Sequence, residues 1–144
     1  SPFAFSIPDR NHLLVGLKTE LASVLQQKEV HEPPFSTTDS PFFGYFRSSE
    51  KIRRVLPPQF ASLELAKFSA DENQWLHVTI ECTDQLQAEN LKMFLSGMKA
   101  LYMLQSESNR ATYDSLGSVM IGGEGDTVSI DTPLASLPAV MPSD

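Results

Sequence analysis

The chain has 144 residues, a length that fits one domain better than two. Hydrophobic residues make up 41% and charged residues 20% of it, and these ordinary values argue against a disordered, collagenous or coiled-coil protein. Eighteen acidic and eleven basic side chains give a formal net charge of −7. This charge argues against a nucleic-acid partner, because phosphate binding needs a basic face.

The start of the sequence and its hydropathy bear on the compartment. Proline, glycine or charge breaks the longest apolar runs within about six residues, whereas a bilayer span needs about 18, so we expect no membrane-spanning segment. Residues 1–3 contain no initiator Met, and no signal-peptide pattern follows them. We interpret this start as a processed end or as a cut from a longer chain.

Residues 3–29 have the pattern of a β-hairpin followed by a helix. Two apolar stretches flank turn-forming residues at 8–11. Apolar residues then recur at helical spacing and predict a helix over about 19–29. Residues 30–41 contain three prolines and a Ser/Thr-rich run, so we predict a long loop there.

The next part of the chain predicts strands that bracket a short helix. Aromatic residues at 42–47 favour a strand. A short helix follows over about 48–55 and ends before the two prolines at 57–58. Residues 63–69 are a further strand candidate, and the polar residues after them favour a turn.

The clearest strand covers residues 75–82, because its side chains alternate between an apolar and a partly solvated face. The apolar set is Leu76, Val78, Ile80 and Cys82, and the other set is Trp75, His77, Thr79 and Glu81. Cys82 is the single cysteine, so an internal disulfide is excluded. We predict that Cys82 is a small buried hydrophobe rather than a nucleophile.

An amphipathic helix of about twenty residues follows Asp84, which is in N-cap position with Gln87 three residues later. Apolar residues recur at helical spacing at Leu91, Phe94, Leu95, Met98, Leu101 and Tyr102, and we predict that the first five of them are buried against the sheet. Gly97 weakens such a helix, and we expect it to let the helix approach a sheet closely.

The last part of the chain predicts a second hairpin and a tail. Residues 116–121 and 127–130 flank a glycine-rich turn at 122–126. The order ββα-βα-ββα-ββ predicts an α+β fold, in which a mainly antiparallel sheet carries helices on one face. We assign residues 1–131 to a single α+β domain and residues 132–144 to a proline-rich tail.

Five stretches spread over most of this domain combine strand ends, turns and a helix start. They are the opening run 5–16, the segment 56–60, the strand end 76–84, the helix start 87–89 and the closing hairpin 122–130. Together they resemble the C-terminal regions of large exported bacterial proteins of unknown function, of the planctomycete and acidobacterial type. The resemblance implies an extracytoplasmic, non-enzymatic domain with no residue to carry over as catalytic.

The residues themselves show no catalytic or metal-binding motif. His12, His31 and His77 lie far apart, and none has a His or Cys two to four residues away. The glycines of 122–126 lead into a strand and accompany two acids, which favours a turn over a phosphate-binding loop. We therefore predict no catalytic residue, no cofactor and no metal.

A basic cluster adjoins the aromatic strand. It consists of Arg47, Lys51, Arg53 and Arg54. Single-strand nucleic-acid binders combine such residues, but a solvated helix face beside core aromatics explains them as well. Neighbouring residues of a strand point to opposite sides, so aromatic residues lie on both sides of the strand at 42–47. One of these sides is exposed unless another layer of the protein or a partner covers it. We predict that Phe42 or Phe46, together with Arg47, lies at a protein contact.

These observations favour a non-catalytic structural or protein-interaction domain of a larger bacterial protein or complex, in the periplasm or outside the cell. Its expected partner is a protein or the remainder of a longer chain, with no nucleic acid and no membrane span. The alternative is a carrier of a small apolar ligand, with a cavity between the helix at 86–104 and the sheet. An enzyme with a dispersed site is a third interpretation.

Overall fold

A computed structural model describes residues 3–9, 12–26 and 42–136 of the chain. The chain divides into two compact units, residues 1–34 and 35–144. The residues that we assigned to one domain are therefore shared between two units. The predicted loop is outside the described residues, as is the tail after residue 136.

The first unit is a hairpin followed by a helix, as predicted. Strands β1 (Phe3–Asp9) and β2 (His12–Leu17) pair in antiparallel fashion, and α1 (Lys18–Gln26) follows directly. Leu17, the last residue of β2, and Leu21 of α1 are both buried. The last residues of the predicted helix, 27–29, are outside the described part of the chain.

The second unit is built on a five-stranded antiparallel sheet with the strand order β3-β4-β5-β7-β6. The strands are β3 (Phe42–Arg47), β4 (Leu63–Ala70), β5 (Trp75–Cys82), β6 (Met120–Gly122) and β7 (Thr127–Pro133). The helices are α2 (Glu50–Arg53), α3 (Gln85–Gln105) and α4 (Arg110–Gly117), with single 3-10 turns at Pro58–Phe60 and Leu134–Ser136. The predicted α+β fold and element order are confirmed, with α4 added.

Helix α3 packs on one face of this sheet and closes the core. Its N-cap is the predicted one, since Asp84 Oδ1 accepts a hydrogen bond of 2.9 Å from the Gln87 backbone N–H. The buried side chains of this core are Leu63, Ile80, Cys82, Ala88, Leu91 and Val128. Cys82 is thus buried, as predicted, and burial raises the pKa of its thiol.

A bulge and a glycine interrupt the regular pattern of the sheet. The register shifts between Leu63 and Leu65, so that the strand gains one residue and its alternation of faces changes there. Gly44 lies opposite Phe68, and a Cβ at position 44 would come within 2.2 Å of the Phe68 ring. A ring over a strand glycine covers backbone that no side chain protects.

Two expectations for the C-terminal part are wrong. Residues 116–117 end α4 and do not start a strand, because Asn109 caps an eight-residue helix by accepting a hydrogen bond from the Thr112 N–H. Leu116 of that helix is buried. Strand β7 also continues to Pro133, past the predicted start of the tail at residue 132.

Candidate functional site

The face of the sheet opposite α3, here called the polar face, carries the clearest cluster of titratable groups. Asp131 lies directly opposite His77 across the β5–β7 pair. The Oδ1 atom of Asp131 is 2.6 Å from His77 Nδ1, and Oδ2 of Asp71 is 3.3 Å from His77 Nε2. The hydrogen bond with Asp131, and next that with Asp71, raises the pKa of His77 above 6.5.

Asp71 lies in the turn between β4 and β5 and contacts the cluster from there. Its carboxylate accepts a 2.9 Å hydrogen bond from the Trp75 backbone N–H, which is the main cause of its lowered pKa. The turn is closed by Gln74, whose φ of 61° lies in the left-handed region. The cluster therefore links this turn to β5 and β7.

Both ring nitrogens of His77 face carboxylate oxygens, and this arrangement favours the protonated imidazole, which can donate a hydrogen bond from each nitrogen. Beside it on the polar face, Lys67 forms an ion pair with Glu81. Among the described residues, no group of three or more His, Cys, Asp or Glu is arranged to hold a metal ion.

The opposite side of the unit presents a different surface, on the long helix. We call it the outer face of α3 and define it by six exposed residues: Leu86, Asn90, Met93, Gly97, Ala100 and Leu104. Leu86, Met93 and Leu104 are 67%, 62% and 66% exposed. Leu101 flanks them and is also exposed. Aligned apolar side chains of this size in water are typical of a contact surface.

The outer face carries no charged residue. Its acidic neighbour Glu89 forms an ion pair of 2.8 Å with Lys92 of the same helix. Helix α4 lies to another side of α3, since Lys99 Nζ donates to the Val119 carbonyl and Gly117 is close to Met103. The six residues thus form one uncharged strip about the length of the helix.

The comparisons with known proteins give no match. No protein-family model, curated protein or solved structure is significantly similar to the chain.

The three predicted contact residues of β3 lie on two faces of the sheet. Phe42 and Phe46 are on the same side as α3. Arg47 is on the polar face, because it pairs with Leu65, which in turn pairs with Glu81 of that face. Phe42 is exposed, whereas Phe46 packs against the core. The structure therefore does not bring them together in one patch, and their protein contact stays a prediction.

The carrier interpretation needs space between α3 and the sheet. That interface holds the main core of the unit, in which Leu91 and Val128 are almost fully buried. Phe94 and Leu95 pack against the same cluster. A ligand cavity at this interface stays a prediction.

The remaining predicted features are the glycine-rich turn, the basic cluster, His31 and the absence of a membrane span. The glycine-rich turn connects β6 to β7, and Gly123 and Gly125 have φ values of 120° and 63° there, so the prediction of a hairpin turn is confirmed. Arg54 of the basic cluster forms an ion pair of 2.6 Å with Glu50. His31 is outside the described residues. Within the described ranges, no helix has the length and hydropathy of a membrane span.

Sequence reasoning missed both the cluster around His77 and the outer face of α3. The cluster around His77 joins residues that are 54 positions apart, and only the strand register brings them opposite each other. The outer face of α3 could have been found from the sequence, because its residues repeat at alternating intervals of four and three. That repeat was hidden by the apolar residues of the inner face, which fit a helical pattern equally well.

Proposed function

We propose that this chain is a non-catalytic protein-interaction domain of a larger extracytoplasmic protein or complex. The observation that supports it best is the outer face of α3, where Leu86, Met93 and Leu104 expose about two thirds of their surface. Exposed apolar side chains in one strip lower the free energy of a complex when a partner covers them. Depletion of charge at such a strip is typical of interface centres.

The proposed absence of catalysis draws support from the polar face. The His77 ring is held by two carboxylates, and this arrangement stabilises the sheet rather than activating a nucleophile. Cys82 is buried behind α3 with a raised pKa, and such thiols are inert.

The proposed extracytoplasmic location rests on the resemblance to exported bacterial proteins. Protease added to spheroplasts, whose outer membrane has been removed, together with the medium of the same cells, is the direct test. We expect the native protein to be cleaved in one of these fractions without lysis of the inner membrane, and protection until that membrane is lysed would contradict the location.

The interaction function is tested by photo-cross-linking in the cells that produce the native protein. A photoreactive amino acid replaces Met93 on the outer face, and a matched probe replaces Met120, which is exposed on β6. We expect protein adducts from position 93 and few from position 120. Equal adducts from both positions, or none from position 93, would contradict the proposal.

A further inference from the structure

The outer face of α3 has the spacing of a coiled-coil seam. From Leu86 to Leu104 its six residues follow one another at intervals of four, three, four, three and four. This average of 3.5 residues keeps one strip facing a partner helix along the whole length. All six residues are exposed, so no other element of the second unit covers the seam.

Gly97 lies near the middle of this seam and serves no packing contact of its own unit. A Cβ added there would meet nothing within 4 Å, so the expected close approach of this glycine to the sheet is wrong. A solvent-facing glycine in the middle of a helix destabilises it relative to alanine. A small residue is favoured there if another helix backbone comes close.

The seam is complementary to itself when a second copy runs in the opposite direction. Positions 86 and 104 lie equally far from position 95, as do positions 93 and 97, so a two-fold axis near position 95 places the members of each pair opposite each other. Leu86 then contacts Leu104 of the copy, and Met93 fills the space over Gly97 of the copy. The same register places Asn90 opposite Ala100, a small residue that leaves the amide access to water.

Resting on the proposed interaction function, we infer that the partner is a second copy of this chain, bound through an antiparallel pair of α3 helices. A two-fold contact needs one self-complementary surface. The outer face is such a surface, because each of its large residues then lies opposite a large or a small residue of the copy. Glu89 lies beside the seam and is already paired with Lys92. Two unpaired charges of the same sign therefore do not meet at the contact.

The size and charge of the contact set its strength. A helix of 21 residues is about 32 Å long, and two such helices bury on the order of 1,000 Å², at the lower end for a specific interface. Each copy carries a net charge of −7, so the copies repel each other at low ionic strength. The dimer is therefore weak and becomes tighter as salt screens this repulsion.

The test is sedimentation equilibrium of the purified chain over a range of concentrations and salt. We expect a reversible monomer–dimer equilibrium. Met93→Lys should raise its Kd at least about tenfold, because an ammonium group would be buried at the contact. Met120→Lys is the matched control, with the same change of charge at an exposed methionine, and should leave the Kd within about twofold.

Circular dichroism verifies that both variants keep the helix content of the parent chain. A monomer at every concentration would overturn the inference, as would a dimer that both variants weaken equally or that salt dissociates. If the photoreactive probe at position 93 nevertheless captures a different protein, the interaction function stands and the second copy is the wrong partner. If that probe captures no protein and the chain is monomeric, both proposals fail.

Discussion

The two faces of α3 have similar composition and opposite environments. Leu91 on the inner face is 1% exposed, whereas Met93, two residues later, is 62% exposed. The inner face follows the 3.6-residue period of a helix on a sheet, and the outer face follows a 3.5-residue repeat. Hydrophobicity alone therefore identifies the helix but not the side that forms the core of its own unit.

The inner face also ends earlier than its sequence pattern. The α3 residues of the core cluster and its packed neighbours lie between Ala88 and Leu95. Leu101, which we predicted to be buried, is 49% exposed, and its neighbour Tyr102 is 51% exposed. Beyond the cluster, Leu101, Tyr102 and Leu104 in the last turns of α3 are exposed.

The largest expected difference between the two faces is in thiol reactivity. Cys82 should react with a thiol reagent at least about a thousandfold more slowly in the folded than in the unfolded chain, because reaction requires opening of the core. A Met93→Cys variant on a Cys82→Ala background should react at nearly the unfolded rate in dilute solution. Stopped-flow labelling measures both rates, and rapid labelling of native Cys82 would contradict its inward position.

Truncation of a side chain to alanine should lower the free energy of unfolding much more on the inner face of α3 than on its outer face. Leu91→Ala should lower the free energy of unfolding by about 2–5 kcal/mol, because it leaves a cavity in a packed core. Met93→Ala should change it by less than about 0.5 kcal/mol in dilute solution, since that side chain is exposed. Urea unfolding measures both, and equal losses would show that α3 has no distinct outer face.

Gly97→Ala should act on stability and association in opposite directions. In dilute solution it should raise the free energy of unfolding by about 1 kcal/mol, because alanine favours the helix and its methyl group meets open space. At high concentration it should weaken the dimer, because the methyl group holds the helices apart. Urea unfolding and sedimentation provide the two measurements, and a tighter dimer would contradict the close approach.

The smallest effect is expected on the polar face of the sheet, away from α3. The folded pKa of His77 is raised, so its stabilisation is complete below pH 6.5 and is lost as the pH rises through the folded pKa. The pKa of Asp71 is lowered, so its contribution is lost only as the pH falls through that lowered value. With 42% of the imidazole exposed, His77→Gln should cost less than about 1 kcal/mol.

Unfolding curves of His77→Gln and the parent chain at several pH values give the measurement. The difference between them should be largest in mildly acidic solution and small in alkaline solution. A difference that grows with rising pH would show that the neutral imidazole, and not the cation, is the stabilising form.

Local signals in the sequence predicted most of the fold. The alternation of 75–82 predicted β5 at its observed bounds, and Asp84 with Gln87 predicted the start of α3. Helix α4 was missed because its cap, Asn109, is followed by a short helix with few apolar residues, and Leu116 was taken for the start of a strand. Short elements depend on tertiary contacts that local patterns do not contain.

The candidate sites were less predictable for the same reason. The pairing of His77 with Asp131 depends on strand register, and a shift of one residue would reverse the faces. The separation of Phe42 from Arg47 follows from strand alternation and was predictable. Which of those sides packs against α3 depends on the pairing of β3 with β4, which the sequence alone does not determine.

Disulfide trapping between copies tests the use of the outer face most directly. Leu86→Cys and Leu104→Cys are prepared separately on a Cys82→Ala background and oxidised alone and as a mixture. The antiparallel register predicts a cross-linked dimer in the mixture alone, because like positions are about 27 Å apart along the helix pair and a disulfide needs Cα atoms within about 7 Å. Cross-linking of either variant with itself, or none in the mixture, would contradict it.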